Sequence, residues 1–506
     1  MPFAIGGNQL DTTFAISNSL RFNRGDSPNL EKTFSGTPTS TRICTISWWM
    51  KLADPNDTNG KAIFSAIKSG VNEDVIKFMG INNGILNSLE FAFNNGSDGT
   101  FMLSVGSTQM IKFRDPSAWY NICVAIDTTQ SNAANRVKTY INGQQVEHEA
   151  RVEGGSITSD VPMTQNYELG FLTASKHQIG ENTDGSGEHF DGYLSEFYFV
   201  DGQQLAPTTF SERNDNGVWV PKDAKDDITF GNYGFFLEFK QTGTSADASG
   251  MGADTSGNDN HFSASGLAAV DVTTDTPSNN FAVFNPLIAH LTAGGNATRP
   301  TYSEGNTKTV TQNSGKLAGS STFMVSSGKW YAEFKFVATN NAGSTITSAI
   351  GITDSPQRLA NQFGKPGERS DGVAYINTGS KLIGDSQTSF GNSYTTGDII
   401  GVALDLDNNA IYFSKNGTFQ NSGDPTSGST KTGAISITDP ASTIEGGYYF
   451  AVGEATSETS TFEANFGNAP YTISSGNSDG SGFGNFEYSV PSNYFALCSK
   501  NLGLYG

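Results

Sequence analysis

Short apolar runs bounded by turn residues recur along nearly the whole chain, and no segment sustains apolar positions at helical spacing. Ile43 to Leu52, Glu90 to Phe93, Phe101 to Val105, Asn121 to Asp127, Arg136 to Ile141, Gly192 to Val200 and Gly234 to Phe239 each alternate as strands do. Asn142-Gly143 lies between Val137-Lys-Thr-Tyr-Ile and Gln-Gln-Val, and Lys415-Asn416-Gly417 repeats the signal. Asn-Gly supplies the two successive positive-φ residues of a type I′ turn, so both pairs predict tight hairpins. Only Pro207 to Arg213 offers a short helix. Such a chain folds all-β or not at all. With 58 glycines and 16% charged residues it could be disordered, but 11% aromatics argue for a packed sheet.

A second strand series follows the first. It comprises Lys329 to Val337, Ser348 to Ile352, Ile399 to Asp405, Ala410 to Ser414, Tyr448 to Gly453 and Thr461 to Phe466. Residues 240–280, rich in Gly, Ser, Asp and Asn, read as loop or linker. Pro277-Ser-Asn-Asn-Phe-Ala-Val-Phe-Asn-Pro-Leu is echoed by Pro491-Ser-Asn-Tyr-Phe-Ala-Leu-Cys-Ser-Lys-Asn-Leu, which predicts one closing strand at the end of each module. The expected layout is a β-sandwich over residues 1–275 with a loop-rich tail, a linker with a closing strand over 276–299, and a second sandwich over 300–506.

A formal charge of −20 sets the chain against phosphate backbones, so nucleic-acid binding is not expected. Cys44, Cys123 and Cys498 sit in apolar runs without CxxC spacing, which predicts buried free thiols rather than disulfides or zinc ligands. The first residues, Met-Pro-Phe-Ala-Ile-Gly-Gly, lack the pattern of a signal peptide, and no run approaches a membrane span. Synthesis in a cytoplasm, without membrane insertion, is the expectation.

Thr45-Ile-Ser-Trp-Trp-Met-Lys, Trp119-Tyr-Asn-Ile-Cys-Val-Ala-Ile-Asp with Val137-Lys-Thr-Tyr-Ile-Asn-Gly-Gln-Gln-Val, and Phe190-Asp-Gly-Tyr-Leu-Ser-Glu-Phe-Tyr-Phe-Val-Asp-Gly occur in that order. Together they resemble the laminin G-like, concanavalin A-like jelly rolls. Gly328-Lys-Trp-Tyr-Ala-Glu-Phe-Lys-Phe, Ala349-Ile-Gly-Ile-Thr, the run from Gly397 to Gly417, and Phe462-Glu-Ala-Asn-Phe-Gly-Asn-Ala-Pro-Tyr resemble a SPRY domain. The resemblances imply two concatenated concanavalin A-like antiparallel sandwiches. Their order along the chain resembles tail-fibre and other structural proteins of bacteriophages. That likeness implies a virion location, made in the host cytoplasm, with other virion proteins and host surface glycans as partners. A symmetric homo-oligomer, a trimer first, would follow particle symmetry.

Jelly rolls also host glycosidases, which need paired carboxylates. No Glu-x-Asp-x-x-Glu triplet occurs, and Glu188 with Asp191 reads as a solvated Gly-rich turn. Gly476-Asn-Ser478-Asp-Gly480 matches a nucleophile elbow by letter, but no helix signal follows it. The catalytic expectation is therefore none. The laminin G-like resemblance implies calcium in some members, with Asp184, Glu188 and Asp191 as the candidate loop. Asp405-x-Asp407-x-Asn409 starts like a calcium loop, yet Ala410 and Asn416 break the pattern, and a hairpin explains it better. His177 and His189 could meet only through the fold. Arg24-Gly25-Asp26 reads as an ordinary turn. Trp48, Trp119 and Trp330 are expected in cores, Trp49 on the face opposite Trp48, and Trp219 over a module edge. The residues point to a non-enzymatic binding protein, and the resemblance to phage structural proteins implies a place in a virion. A secreted lectin-like or carbohydrate-active protein and an intracellular SPRY scaffold are the alternatives.

Overall fold

A computed structural model describes residues 14–54, 60–69, 72–79, 88–94, 100–105, 113, 115–148, 151–153, 156–158, 163–185, 187–288, 290–291, 297–298, 300–311, 318–339, 348–357, 365–370, 372–454 and 459–506. The chain forms two compact units, one ending at Ser278 and one running from Asn279 to Gly506. Both are antiparallel β-sandwiches, as the alternation predicts.

In the first unit one sheet runs in space through Gln144–Val146, Val137–Ile141, Tyr120–Asp127, Ile43–Leu52, Gly192–Asp201, Ser19–Phe22 and Val272–Thr273, with Phe235–Leu237 also on Gly192–Asp201. The facing sheet runs through Ser263–Ser265, Asn29–Thr33, Lys176–Ile179, Lys61–Ser69, Asn72–Met79, Ser88–Asn94 and Thr100–Val105. Alternation sends Cys44, Ile46, Trp48, Met50 and Leu52 inward against Phe64, Ile76 and Phe91 from the other sheet. Residues 240–275 are less of a linker than expected. Ser263–Ser265 and Val272–Thr273 join the two sheets, and Asp254 accepts the N–H groups of Phe236, Ser256 and Asn260.

The second unit repeats the hairpin side of this plan. Its larger sheet includes, in order, Ala410–Lys415, Ile399–Asp405, Lys329–Thr339, Ser460–Asn465 and Lys308–Thr311. The Asn-Gly turns are the same device in both units. Asn142 and Gly143 have φ of 47° and 75°, and Asn416 and Gly417 have 48° and 79°. In each, the asparagine side chain accepts the strand N–H it faces, at 2.9 Å from Asn121 and 2.9 Å from Ile399. Trp330, Phe334, Ile400, Val402 and Phe450 fill the second core. The short helix Ser499–Tyr505 was not foreseen, because Gly503 inside seven residues hides any periodicity.

The echoed segments do not close one module each. They pair with one another inside the second unit: Phe281 bridges Cys498, Ala282 N–H donates to the Leu497 carbonyl and Ser499 N–H to the Asn280 carbonyl. The chain crosses between units at Ser278, whose Oγ accepts the Ile16 N–H of the first, so the crossing falls within the stretch read as linker.

In both units the outer face of the hairpin sheet is covered by irregular chain. Cys123, Tyr198 and Val200 lie under Phe210, Ala224, Phe230 and Phe236. Tyr331, Ala403 and Tyr412 lie under Phe486, Tyr494 and Cys498. An aromatic from each cover rests on the turn glycine, where a Cβ would come within 2.4 Å of the Trp219 ring at Gly143 and 2.5 Å of the Tyr488 ring at Gly417.

Candidate functional site

The loop after Lys176–Ile179 carries the calcium candidates. It starts at Gly180, whose φ of 87° and missing side chain let the Phe22 ring approach, and it closes where Phe190 N–H donates to the Gly180 carbonyl. Glu188 is committed within it: Lys77 Nζ lies 3.1 and 2.9 Å from its two oxygens, and Asn182 Nδ2 donates at 3.0 Å. Asp184 is exposed at the tip, and Asp191 is half-buried further along. Burial first, then the Asp184 charge, raises the Glu73 carboxyl above its usual range. Among the described residues no three His, Cys, Asp or Glu side chains are grouped to hold a metal ion, so the three candidates share a loop without sharing a coordination shell. The ion pair with Lys77, a residue distant in sequence, is what the letters could not show.

Arg24-Gly25-Asp26 is a 3-10 turn, and its arginine serves as a clamp. The guanidinium donates to the Gly60 carbonyl at 2.6 Å and to the His189 carbonyl at 3.1 Å, while Asp26 accepts from Asn23. Asp405 accepts Lys329 Nζ at 2.8 Å and the Asn408 N–H at 3.0 Å, which makes it a turn anchor. Ser478 is exposed in irregular chain, with no helix directly after it. Its neighbour Asp479 instead gathers the N–H groups of Ser481, Phe483 and Ala496 and the Asn501 amide. His177 is buried against Phe34 and Phe64, and burial lowers its pKa to about 4.

The tryptophan expectations divide. Trp48 and Trp330 are core residues, and Trp49 faces the other way. Trp119 is buried as well, but in a separate cluster with Trp49 and Tyr193, while Ile122, Val124 and Ile126 of the strand that follows face the cluster of Trp48. Trp219 donates from Nε1 to Asn121 Oδ1 at 2.9 Å. The three cysteines are free and buried. Cys44 and Cys123 are on neighbouring strands but pair with Ile126 and Ser47, and they point into opposite clusters. Burial pushes the Cys498 thiol up to about 12.

Two buried acids escaped the sequence reading. Glu196 is 4% exposed and Glu333 fully buried, each beneath an outer cover. Each has a tyrosine two residues away donating to it, Tyr198 at 3.0 Å and Tyr331 at 3.1 Å. Glu333 also accepts the N–H groups of Glu487 at 2.9 Å and Tyr488 at 2.8 Å and the Asn465 amide at 3.2 Å. Burial lifts Glu333 to about 7 against these donors, and lifts Glu196 to about 8. The signal was present: a lone acid in Tyr-Leu-Ser-Glu-Phe-Tyr-Phe-Val and in Trp-Tyr-Ala-Glu-Phe-Lys-Phe, runs that are apolar apart from Ser195 and Lys335.

Residues 27–207 match the family model of the concanavalin A-like lectin/glucanases superfamily, and residues 301–434 match that of the SPRY domain. The chain thus joins a laminin G-like, concanavalin A-like domain to a SPRY domain. Among solved structures, the SPRY domain of human HERC1 is 17% identical, with 36% of this chain and 96% of that one covered and a TM-score of 0.25. The heptameric SAP-like pentraxin of Limulus polyphemus is 20% identical, with 38% and 80% covered and a TM-score of 0.25. No curated protein matches the chain.

Proposed function

We propose that this is a non-enzymatic binding protein that serves as a structural component of a phage virion, in a fibre or a surface decoration. One observation carries the binding part. Among the described residues, four polar side chains that the sequence motifs singled out or adjoin hold loops in place: Glu188 binds Lys77, Arg24 two carbonyls, Asp405 Lys329 and Asp479 four donors. Stiff sheets with well-anchored end loops suit recognition, because contact loops keep their shape only when the frame holds them. The order of a laminin G-like module before a SPRY module supports the virion reading, as does an acidic surface that repels packaged nucleic acid. Other virion proteins and host surface glycans are the partners of this reading, in a homo-oligomer with trimeric symmetry, without calcium or another cofactor.

Gradient-purified particles from the source culture test it directly. An antibody to the chain should follow the particle band through successive gradients, and dissociated particles should release it in a fixed ratio to the major capsid protein. Signal confined to the soluble host fraction would overturn the virion reading, leaving the two binding modules as a host or secreted protein.

A further inference from the structure

The outer cover of the first module rests on a carboxyl group in an unusual position. Glu196 lies where Gly192–Asp201 shifts register on Ile43–Leu52, between Ser195 and Tyr198. Its φ of 49° puts a non-glycine residue in the left-handed region, a strain that the surrounding strands must hold in place. Among the described residues the one donor to its carboxyl is the Tyr198 hydroxyl. Tyr198 is itself part of the cover's seat: its ring stacks on Phe236 at 4.0 Å, and the two residues are paired across the strands Gly192–Asp201 and Phe235–Leu237.

The charged groups facing Glu196 come from two further segments. Glu238 and Lys240 follow Phe235–Leu237, and Asp223 follows Trp219–Pro221. Lys240 is hydrogen-bonded to Glu238 and does not pair with Glu196. Ionised Glu196 would therefore be a third negative charge, out of water, with one hydroxyl donor. The neutral acid fits this site, and the anion does not.

We propose that the irregular chain over this face, residues 205–230, is a proton-operated latch, closed on neutral Glu196 and loosened as rising pH favours its carboxylate. Lifting the cover lets water reach the carboxylate and separates it from Asp223. It also takes Phe210 and Phe230 off Tyr198 and Phe236, which stay with the sheet. The raised pKa of about 8 places the operating range in near-neutral water.

Hydrogen exchange read by mass spectrometry, with exchange times scaled for the intrinsic pH dependence, tests this on the full chain. An open carboxyl of ordinary pKa predicts protection in 205–230 falling about tenfold per pH unit from pH 6, levelling off above about 8. Glu196→Gln should keep that segment equally protected throughout. Asp223→Asn with Glu238→Gln should bring the levelling-off to lower pH, and this double variant serves if Glu196→Gln does not fold. Protection independent of pH in the wild type, an unchanged fall in Glu196→Gln, or a levelling-off that the double variant leaves in place would each overturn the latch.

Discussion

The two sandwiches bury a Glu–Tyr pair beneath comparable covers, yet they treat the acid in opposite ways. Glu333 receives four donors, two of them backbone N–H groups of its cover, whereas Glu196 receives one hydroxyl. Burial acts on both, and the pKa values, about 7 and about 8, fall in the order that the donors require. The difference lies in what the cover contributes. The second module's cover brings N–H groups to the carboxylate, and the first brings aromatic rings and further acids. Both acids are proton-sensitive, and Glu333 alone is also fastened by backbone N–H groups of its cover.

The largest expected effect is on the fastener. Glu333→Ala leaves two backbone N–H groups and an amide without their acceptor, and should cost the second module about 3–5 kcal/mol in urea unfolding. A loss below 1 kcal/mol would erase the contrast.

Glu196→Gln should act with the opposite sign. The folded pKa lies above the unfolded one, so the contribution of Glu196 is fully present below about pH 4.5 and lost as pH rises through about 8. The variant should therefore match the wild type near pH 5 and exceed it by about 2–4 kcal/mol at pH 9, as read by thermal unfolding at both pH values.

The shared turns offer an intermediate test. Gly143→Ala and Gly417→Ala both force a Cβ at positive φ against an aromatic ring of the cover, and each should cost about 1–2 kcal/mol. Equal losses would confirm that the covers grip the hairpins alike. The smallest effect separates the tyrosines. Tyr331→Phe removes one donor of four and should cost about 1 kcal/mol, whereas Tyr198→Phe takes the only side-chain donor from the Glu196 carboxyl. Each loss should raise its acid's pKa further, the rise being larger for Glu196.

Much of this architecture was legible beforehand. Ile43–Leu52 and Ile399–Asp405 were read residue for residue, because a long apolar run between turn residues has few alternatives, and Asn-Gly dictated both hairpins. Lys61–Ser69 and Asn72–Met79 were missed, since Lys61, Lys68, Glu73, Asp74 and Lys77 interrupt the alternation. The candidate loop was found as a loop but not as an ion pair, because Glu188 meets Lys77 only after two sheet strands are aligned. The echo of 277–287 in 491–502 was visible, but its meaning was not. Self-resemblance suggested equivalent places in two modules, whereas pairing put both copies in one.

A buried glutamic acid with a raised pKa, in a fold that the lectin/glucanases superfamily shares, is also what a catalytic acid would look like, and this makes one measurement decisive. The full chain, Glu196→Gln and Glu333→Gln are each incubated with soluble β-glucans and with polysaccharide from the host surface, and bound protein and new reducing ends are measured in the same samples. The account predicts retention on a host polysaccharide with no reducing ends above the buffer blank, for all three proteins. Reducing ends released by the wild type and lost in either variant would contradict it, and would turn a structural acid into a catalytic one.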